Sequence, residues 1–216
     1  MSYINEPQII YEHLVRMCEY RGARVTSRLA PNEFSIAMET HNYASITAER
    51  SIEPEVQTGR SAAHLLVIQF SAQKTIDTAA HTFEVFLDKQ IRARPKDNLE
   101  YNIILVSTTA VSSAIQRKIA AVNQEGIVIE HYNARLFLII APEHVCVPRH
   151  TIVPPTEVAT LCRELHMMVS NFPALVASGE KPDPMAVWLG LRTGMIVRID
   201  RPSETSGIET VYRRCI

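Results

Sequence analysis

Residues 183–214 read DPMAVWLGLRTGMIVRIDRPSETSGIETVYRR, and their punctuation sets the architecture of the region. Asp183 is suited to accept backbone N–H groups where a helix begins, Pro184 fits a first helical turn, and Gly190 permits a left-handed end. A short helix over Pro184 to Leu189 is predicted. Gly194 allows a further tight turn. Met195 to Arg201 and Ile208 to Arg214 then read as two strands joined by Pro202 to Gly207, where Ser203, Glu204 and Thr205 can satisfy the turn backbone. The pattern predicts an antiparallel hairpin, with Arg201 and Arg213 on adjacent strands and Tyr212 beside Arg213.

Upstream, Pro154 and Pro155 precede Val158, Leu161, Cys162, Leu165 and Met168, an apolar stripe at helical spacing. Eight of the 12 prolines follow position 140, so the chain changes character there, and domains over 1–141 and 142–216 are expected. The second is small for a self-sufficient core, and part of its stability is expected to come from a partner.

In the first domain, Pro7 can open a helix with Ile10, Leu14, Met17 and Cys18 on its core face, ended by Gly22. Glu39 to Gly59 is polar, lacks a sustained period, and reads as a loop. His64 to Phe70 reads as a strand, followed by an amphipathic helix through Ile76, Phe83, Leu87 and Ile91. The unit recurs: Tyr101 to Val106 as strand, Ser112 or Ser113 as cap, Ile115, Ile119 and Val122 on a helix, and Gly126 as stop. Ile127 to Ile129 and Leu136 to Ile140 follow as strands. Strands alternating with helices favour an α/β sheet with parallel pairs, because parallel strands need a crossover.

The composition excludes more than it assigns. With 22 basic and 23 acidic residues the formal charge is −1, so no global field draws the chain to nucleic acid or acidic lipid. The longest apolar run, Leu136 to Ala141, is far below the roughly 18 residues of a membrane span, and a soluble intracellular protein is expected. Cys18, Cys146, Cys162 and Cys215 lack paired spacing and read as reduced, mostly buried thiols.

No phosphate-binding glycine loop or nucleophile elbow is present. Glu143, His144, Cys146 and His150 fail the close pairing of a zinc site, so capping and packing roles are expected there. The strands at Leu65 to Phe70 and Ile103 to Val106 carry none of the acids a metal-dependent nuclease needs. No catalytic residue, metal, cofactor or small-molecule substrate is expected. Lys89, Arg92, Arg94 and Lys96 cluster after the amphipathic helix; they suit a helix end, and phosphate contact is the alternative.

The order of residues in the second domain closely resembles the C-terminal assembly domain of the fifth common subunit of eukaryotic RNA polymerases, a family that includes a small subunit of the archaeal enzyme. The resemblance rests on Val147-Pro148-Arg149-His150, Asp183-Pro184, Leu189-Gly190, Gly194, the run from Arg201 to Gly207, and Tyr212-Arg213. The first domain resembles the eukaryotic jaw through Tyr20-Arg21-Gly22 with Val25-Thr26, and through Asn102 to Gln116. Ser112 stands where that family has proline, Gln69 to Ile76 lacks its acidic, proline-containing sequence, and Trp188 replaces a tyrosine or phenylalanine. Such drift makes a large nucleocytoplasmic DNA virus a candidate source beside a cell.

The resemblance implies an α/β N-terminal jaw domain, restriction-endonuclease-like but non-catalytic, and a small α+β C-terminal assembly domain ending in the hairpin. It implies an accessory subunit of a DNA-directed RNA polymerase, docked on the largest subunit among other subunits, with its jaw beside downstream double-stranded DNA. His150, Asp183, Pro184, Gly190, Arg201, Ser203, Glu204, Thr205, Tyr212 and Arg213 become candidates for the assembly surface. Lys89, Arg92, Arg94, Lys96, Ser112 and Ser113 become candidates for weak, local DNA contact. The implied location is the nucleus for a cellular protein, or virion and virus factory for a viral one. The rivals are a degenerate nuclease-fold protein and a free transcription-factor adaptor.

Overall fold

A computed structural model describes residues 6–41, 43–51, 62–70, 100–108, 116–117, 119–121, 127–179 and 181–216. The chain divides into two compact units, Met1–Leu138 and Ile139–Ile216.

The first unit is built on a mixed five-stranded sheet in the order β1 (Arg24–Ser27), β2 (Tyr43–Ser51), β3 (Ala62–Phe70), β4 (Glu100–Ser107), β5 (Ile127–Asn133). β1, β2 and β3 pair antiparallel, which the sequence did not announce, and β3, β4 and β5 pair parallel, as expected for strands joined by crossovers. Ile103, Ile104, Leu105 and Val106 of β4 are all buried, which is why that strand is a continuous apolar run rather than an alternating one.

Helix α1 (Glu6–Tyr20) buries Ile10, Leu14, Met17 and Cys18 as its spacing requires. It ends in a Schellman turn: Ala23 N–H bonds to Cys18 O at 2.8 Å and Gly22 N–H to Glu19 O at 2.9 Å, with Gly22 at φ +70°. Helix α2 (Pro31–His41) seats Phe34 against Tyr11, ring centroids 4.7 Å apart. Its Glu33 carboxylate accepts from Ala30 N–H at 2.9 Å.

Two expectations for this unit are corrected. Glu39 to Gly59 is not a loop where it is described: Glu39 to His41 finish α2, and Tyr43–Ser51 is a full strand. Ala44, Ile46 and Ala48 are buried at period two while Ser45 and Glu49 face outward, an alternation carried by side chains too small to register as an apolar run. Nor is Leu136 to Ile140 a strand. Asn133 Oδ1 accepts from Arg135 N–H at 2.9 Å and starts a 3-10 turn, Ala134–Phe137, that sinks Phe137 fully into the core. The helix expected over Ile76 to Ile91, the cap at Ser112 or Ser113, and Ile115, Val122 and Gly126 lie outside the described residues.

The second unit has mixed α and β content around a four-stranded sheet, order β6 (Arg149–Ile152), β8 (Ile196–Ser203), β9 (Gly207–Cys215), β7 (Ala174–Leu175). β8 and β9 form the expected antiparallel hairpin, β6 joins β8 antiparallel, and β7 joins β9 parallel. Val197, Ile199 and Cys215 close a core with Leu175, Ala177, Ala186 and Leu191. Trp188 is also fully buried.

The Pro-led helix α3 (Pro155–Glu164) is shorter than its apolar spacing suggested, and no residue in it is buried. His166 takes a left-handed conformation (φ +51°), with Met167 N–H bonded to Cys162 O at 3.0 Å. That is a Schellman ending made without glycine, and it leaves Leu165 and Met168 beyond the helix, 40% and 68% exposed. All four cysteines are free thiols; Cys18 and Cys215 are buried, Cys162 is half-buried and Cys146 is exposed.

Candidate assembly surface of the C-terminal unit

The candidate residues separate into a frame and a rim. Asp183 and Gly190 are frame: Asp183 Oδ1 accepts from Met185 N–H at 2.8 Å, and Gly190 closes helix α4 (Pro184–Leu189) at φ 64°, ψ 38°. Pro184 occupies the first turn. These three set the helix that presses Ala186 onto the sheet. They hold the surface up rather than form it.

The rim lies on the hairpin and β6. Arg201 faces Glu209 across the strands, and its guanidinium meets the Glu209 carboxylate at 2.8 Å with both side chains about half exposed. At the turn, Ser203 and Thr205 hydroxyls are 3.2 Å apart and Ser203 Oγ accepts from Ser206 N–H at 3.4 Å, while Glu204 is exposed. His150 faces Ile199 and donates from Nδ1 to Pro148 O at 2.7 Å. Arg213 donates from Nη1 to Ala174 O at 3.0 Å, tying β9 to β7.

Cross-strand pairing decides which of these share a face. Arg201, Glu209, Arg213 and His150 fall on the parity of Val197, Ile199 and Val211, the core side of the sheet. Arg201 and Arg213 are adjacent in strand order but roughly 13 Å apart along it. Tyr212 falls on the other side, packed 6.2 Å from the buried ring of Phe172. The candidate residues therefore do not converge on one point.

The reverse face holds a polar cluster that reading by motif passed over. Arg198 Nε donates to Asp200 Oδ1 at 2.9 Å, and Thr210 Oγ1 donates to the same oxygen at 2.7 Å. The Thr210 and Arg198 hydrogen bonds hold the Asp200 carboxyl below its ordinary range, with Arg149 adding to the effect. The signal was available as parity: Arg149, Arg198, Asp200, Thr210, Tyr212 and Arg214 all alternate with core positions.

In the N-terminal unit the notable polar group is interior. Arg21 and Glu130 meet at 2.8 Å, Tyr132 donates to the same carboxylate oxygen at 3.0 Å, and Arg21 lies over the Tyr132 ring at 6.0 Å. Burial opposes the Arg21 charge, but Glu130 and Tyr132 outweigh it and hold the guanidinium above its ordinary value. Nearby in sequence, His131 Nε2 lies 2.8 Å from Ser107 Oγ, and burial lowers the imidazole to about 4. Lys89, Arg92, Arg94, Lys96, Ser112 and Ser113 lie outside the described residues. Among the described residues no group of three or more His, Cys, Asp or Glu could hold a metal, and no helix is long and apolar enough to cross a membrane.

Residues 140–215, nearly the whole of this hairpin-and-helix unit, match the family described as RNA polymerase Rpb5, C-terminal domain. The chain belongs to that family. It is similar to the DNA-directed RNA polymerase subunit Rpo5 of Methanococcus vannielii, 38% identical over 73 residues that make up 34% of this chain and 87% of the relative. It is also 30% identical over 122 residues to the DNA-directed RNA polymerases I, II, and III subunit rpabc1 of Dictyostelium discoideum, covering 56% of this chain and 60% of that one. The subunit RPABC1 of Caenorhabditis elegans is 30% identical over 128 residues, 58% of each chain. The match thus spans somewhat under two thirds of these eukaryotic relatives and nearly all of the archaeal one.

Proposed function

We propose that the chain is a non-catalytic subunit of a multisubunit DNA-directed RNA polymerase, its C-terminal unit docking on the largest subunit. The observation that carries this reading is apolar surface left open in a unit of the Rpb5 family. Of the eleven large hydrophobic side chains exposed among the described residues, nine belong to residues 139–216, Val145 at 94% and Ile208 at 69% among them. A unit this small, with an amphipathic helix none of whose residues is fully buried, gains stability by covering such surface with a partner.

The N-terminal unit is the jaw, an endonuclease-like α/β fold without catalysis, set beside downstream double-stranded DNA. Its mixed sheet, with parallel β3, β4 and β5, supports the α/β part of that reading. Contact with DNA through Lys89, Arg92, Arg94, Lys96, Ser112 or Ser113 would be weak and local; substituting them should lower crosslinking to downstream DNA, and unchanged crosslinking removes that role. Polymerisation and its metal belong to the large subunits. A cellular chain works in the nucleus, and a virus-encoded one in the virion and virus factory.

Affinity purification of the tagged full-length chain from its native source at moderate salt tests the reading. Recovery with the two largest polymerase subunits near one to one is expected. Recovery alone, or with unrelated proteins, would refute it.

A further inference from the structure

We infer that the sheet face of the C-terminal unit turned away from its core, bearing Arg149, Arg198, Tyr212 and Arg214, is the seat of an acidic protein segment. The inference rests on the assembly reading and moves its electrostatic anchor from the hairpin tip to the opposite face of the sheet. Register places these residues together: Arg149 faces Asp200 across β6 and β8, Arg198 faces Tyr212 across the hairpin, and Arg214 follows two positions after Tyr212 on β9. Three arginines share the face with a single carboxylate, Asp200, in a chain whose formal charge is −1. The surplus is therefore local and positive.

The face is also prepared for contact. Asp200 Oδ1, itself held by the Thr210 hydroxyl, accepts from Arg198 Nε, which steadies the guanidinium while half of the side chain stays in solvent. Less side-chain freedom is then lost when a partner carboxylate arrives. Arg214 Nε is buried among the described residues and out of a partner's reach, so the exposed arginines Arg149 and Arg198 make the contact. On the Tyr212 side, the 3-10 turn Val169–Asn171 that leads into Phe172 leaves Met168 68% and Val169 37% exposed. Arginine and tyrosine next to an apolar rim is the composition of a protein interface centre.

Nucleic acid fits less well. The Tyr212 ring packs against Phe172 rather than standing open to stack on a base. A segment whose acidic side chains alternate with apolar ones meets both the arginines and the Met168 and Val169 rim.

The test uses the full-length chain, with Arg149→Glu/Arg198→Glu as the charge-reversed form and Arg149→Gln/Arg198→Gln as a milder form should reversal unfold it. The probes are a labelled peptide of alternating glutamate and leucine, its lysine–leucine counterpart, and a short DNA duplex, each followed by fluorescence anisotropy. The glutamate peptide should bind the unaltered chain and weaken by at least about tenfold in both variants, and the lysine peptide should not bind. Equal binding by the variants, or none by the unaltered chain, overturns the inference. So does duplex binding that the variants alone abolish, which would assign the face to nucleic acid. Co-purification with the largest subunits reads the assembly role separately. Retention of both variants at full stoichiometry overturns this inference and leaves the assembly reading standing, whereas loss of the unaltered chain overturns the assembly reading while the peptide still reports on the face.

Discussion

In the N-terminal unit Arg21 and Glu130 meet at 2.8 Å with 5% and 15% of their side chains exposed, whereas in the C-terminal unit Arg201 and Glu209 meet at the same distance with 51% and 46% exposed. Distance is equal and consequence is not. The first pair has given up its water and is held by a second hydrogen bond from Tyr132, so it locks the end of α1 to β5. The second pair retains water and contributes little to the fold. Of these two pairs, the N-terminal one is turned into the fold and the C-terminal one toward solvent.

The sharpest way to break that contrast is Arg21→Met, which strands Glu130 without its cation. A loss of about 3–5 kcal/mol in urea unfolding is expected. The pair Arg21→Met/Glu130→Leu should recover much of it, because an apolar replacement needs no compensation; a loss as large as the single change would show that packing, not charge, is at stake.

The next effect is a pH dependence confined to the same unit. Burial lowers His131 to about 4, so the unfolded chain, titrating near 6.5, binds the proton first. The stability this neutral imidazole supports is complete above pH 6.5 and is lost as the pH falls toward 4. The total is on the order of 3 kcal/mol. Denaturant midpoints measured across that window should fall steeply for the native chain and flatten in His131→Asn; equal slopes would mean that other groups carry the acid limb.

Smaller still is the frame of α4. Asp183→Ala removes the acceptor for Met185 N–H and should cost about 1 kcal/mol in thermal unfolding of the C-terminal unit. A change below a few tenths would mean that another group satisfies that amide.

The smallest effect belongs to Arg201→Ala, expected to shift unfolding by less than about 0.5 kcal/mol because its partner stays hydrated. Retention in the purified complex should nevertheless fall if the hairpin tip also contacts a partner. A large loss of stability would place Arg201 in the frame instead of the rim.

What could be read from sequence follows the same division. The hairpin and α4 were legible because Asp183, Pro184, Gly190 and Gly207 impose local backbone constraints that need no tertiary context. β2 was not, since alanines at 44 and 48 are too small to announce a buried face. The end of α3 was hidden because His166 supplies the left-handed turn usually given by glycine. Arg21 and Glu130 stand 109 positions apart, and only folding joins them. Among site residues, the motif-bearing arginines at 201 and 213 drew notice, while Arg149, Arg198 and Arg214 needed the strand register to become a group.

The sheet order of the C-terminal unit also sets a timetable. β8 and β9 adjoin through a three-residue turn, so their pairing closes almost no loop and belongs to the microsecond class of events. β6 and β7 come from far earlier in the chain, and β7 adds in parallel with only two register pairs, Ala174 with Arg214 and Leu175 with Cys215. Long closures with little immediate gain come late. The hairpin is therefore the seed and β7 the last stitch: truncating Val197 or Val211 should slow folding, while truncating Leu175 should chiefly hasten unfolding, with the reverse assignment refuting the order.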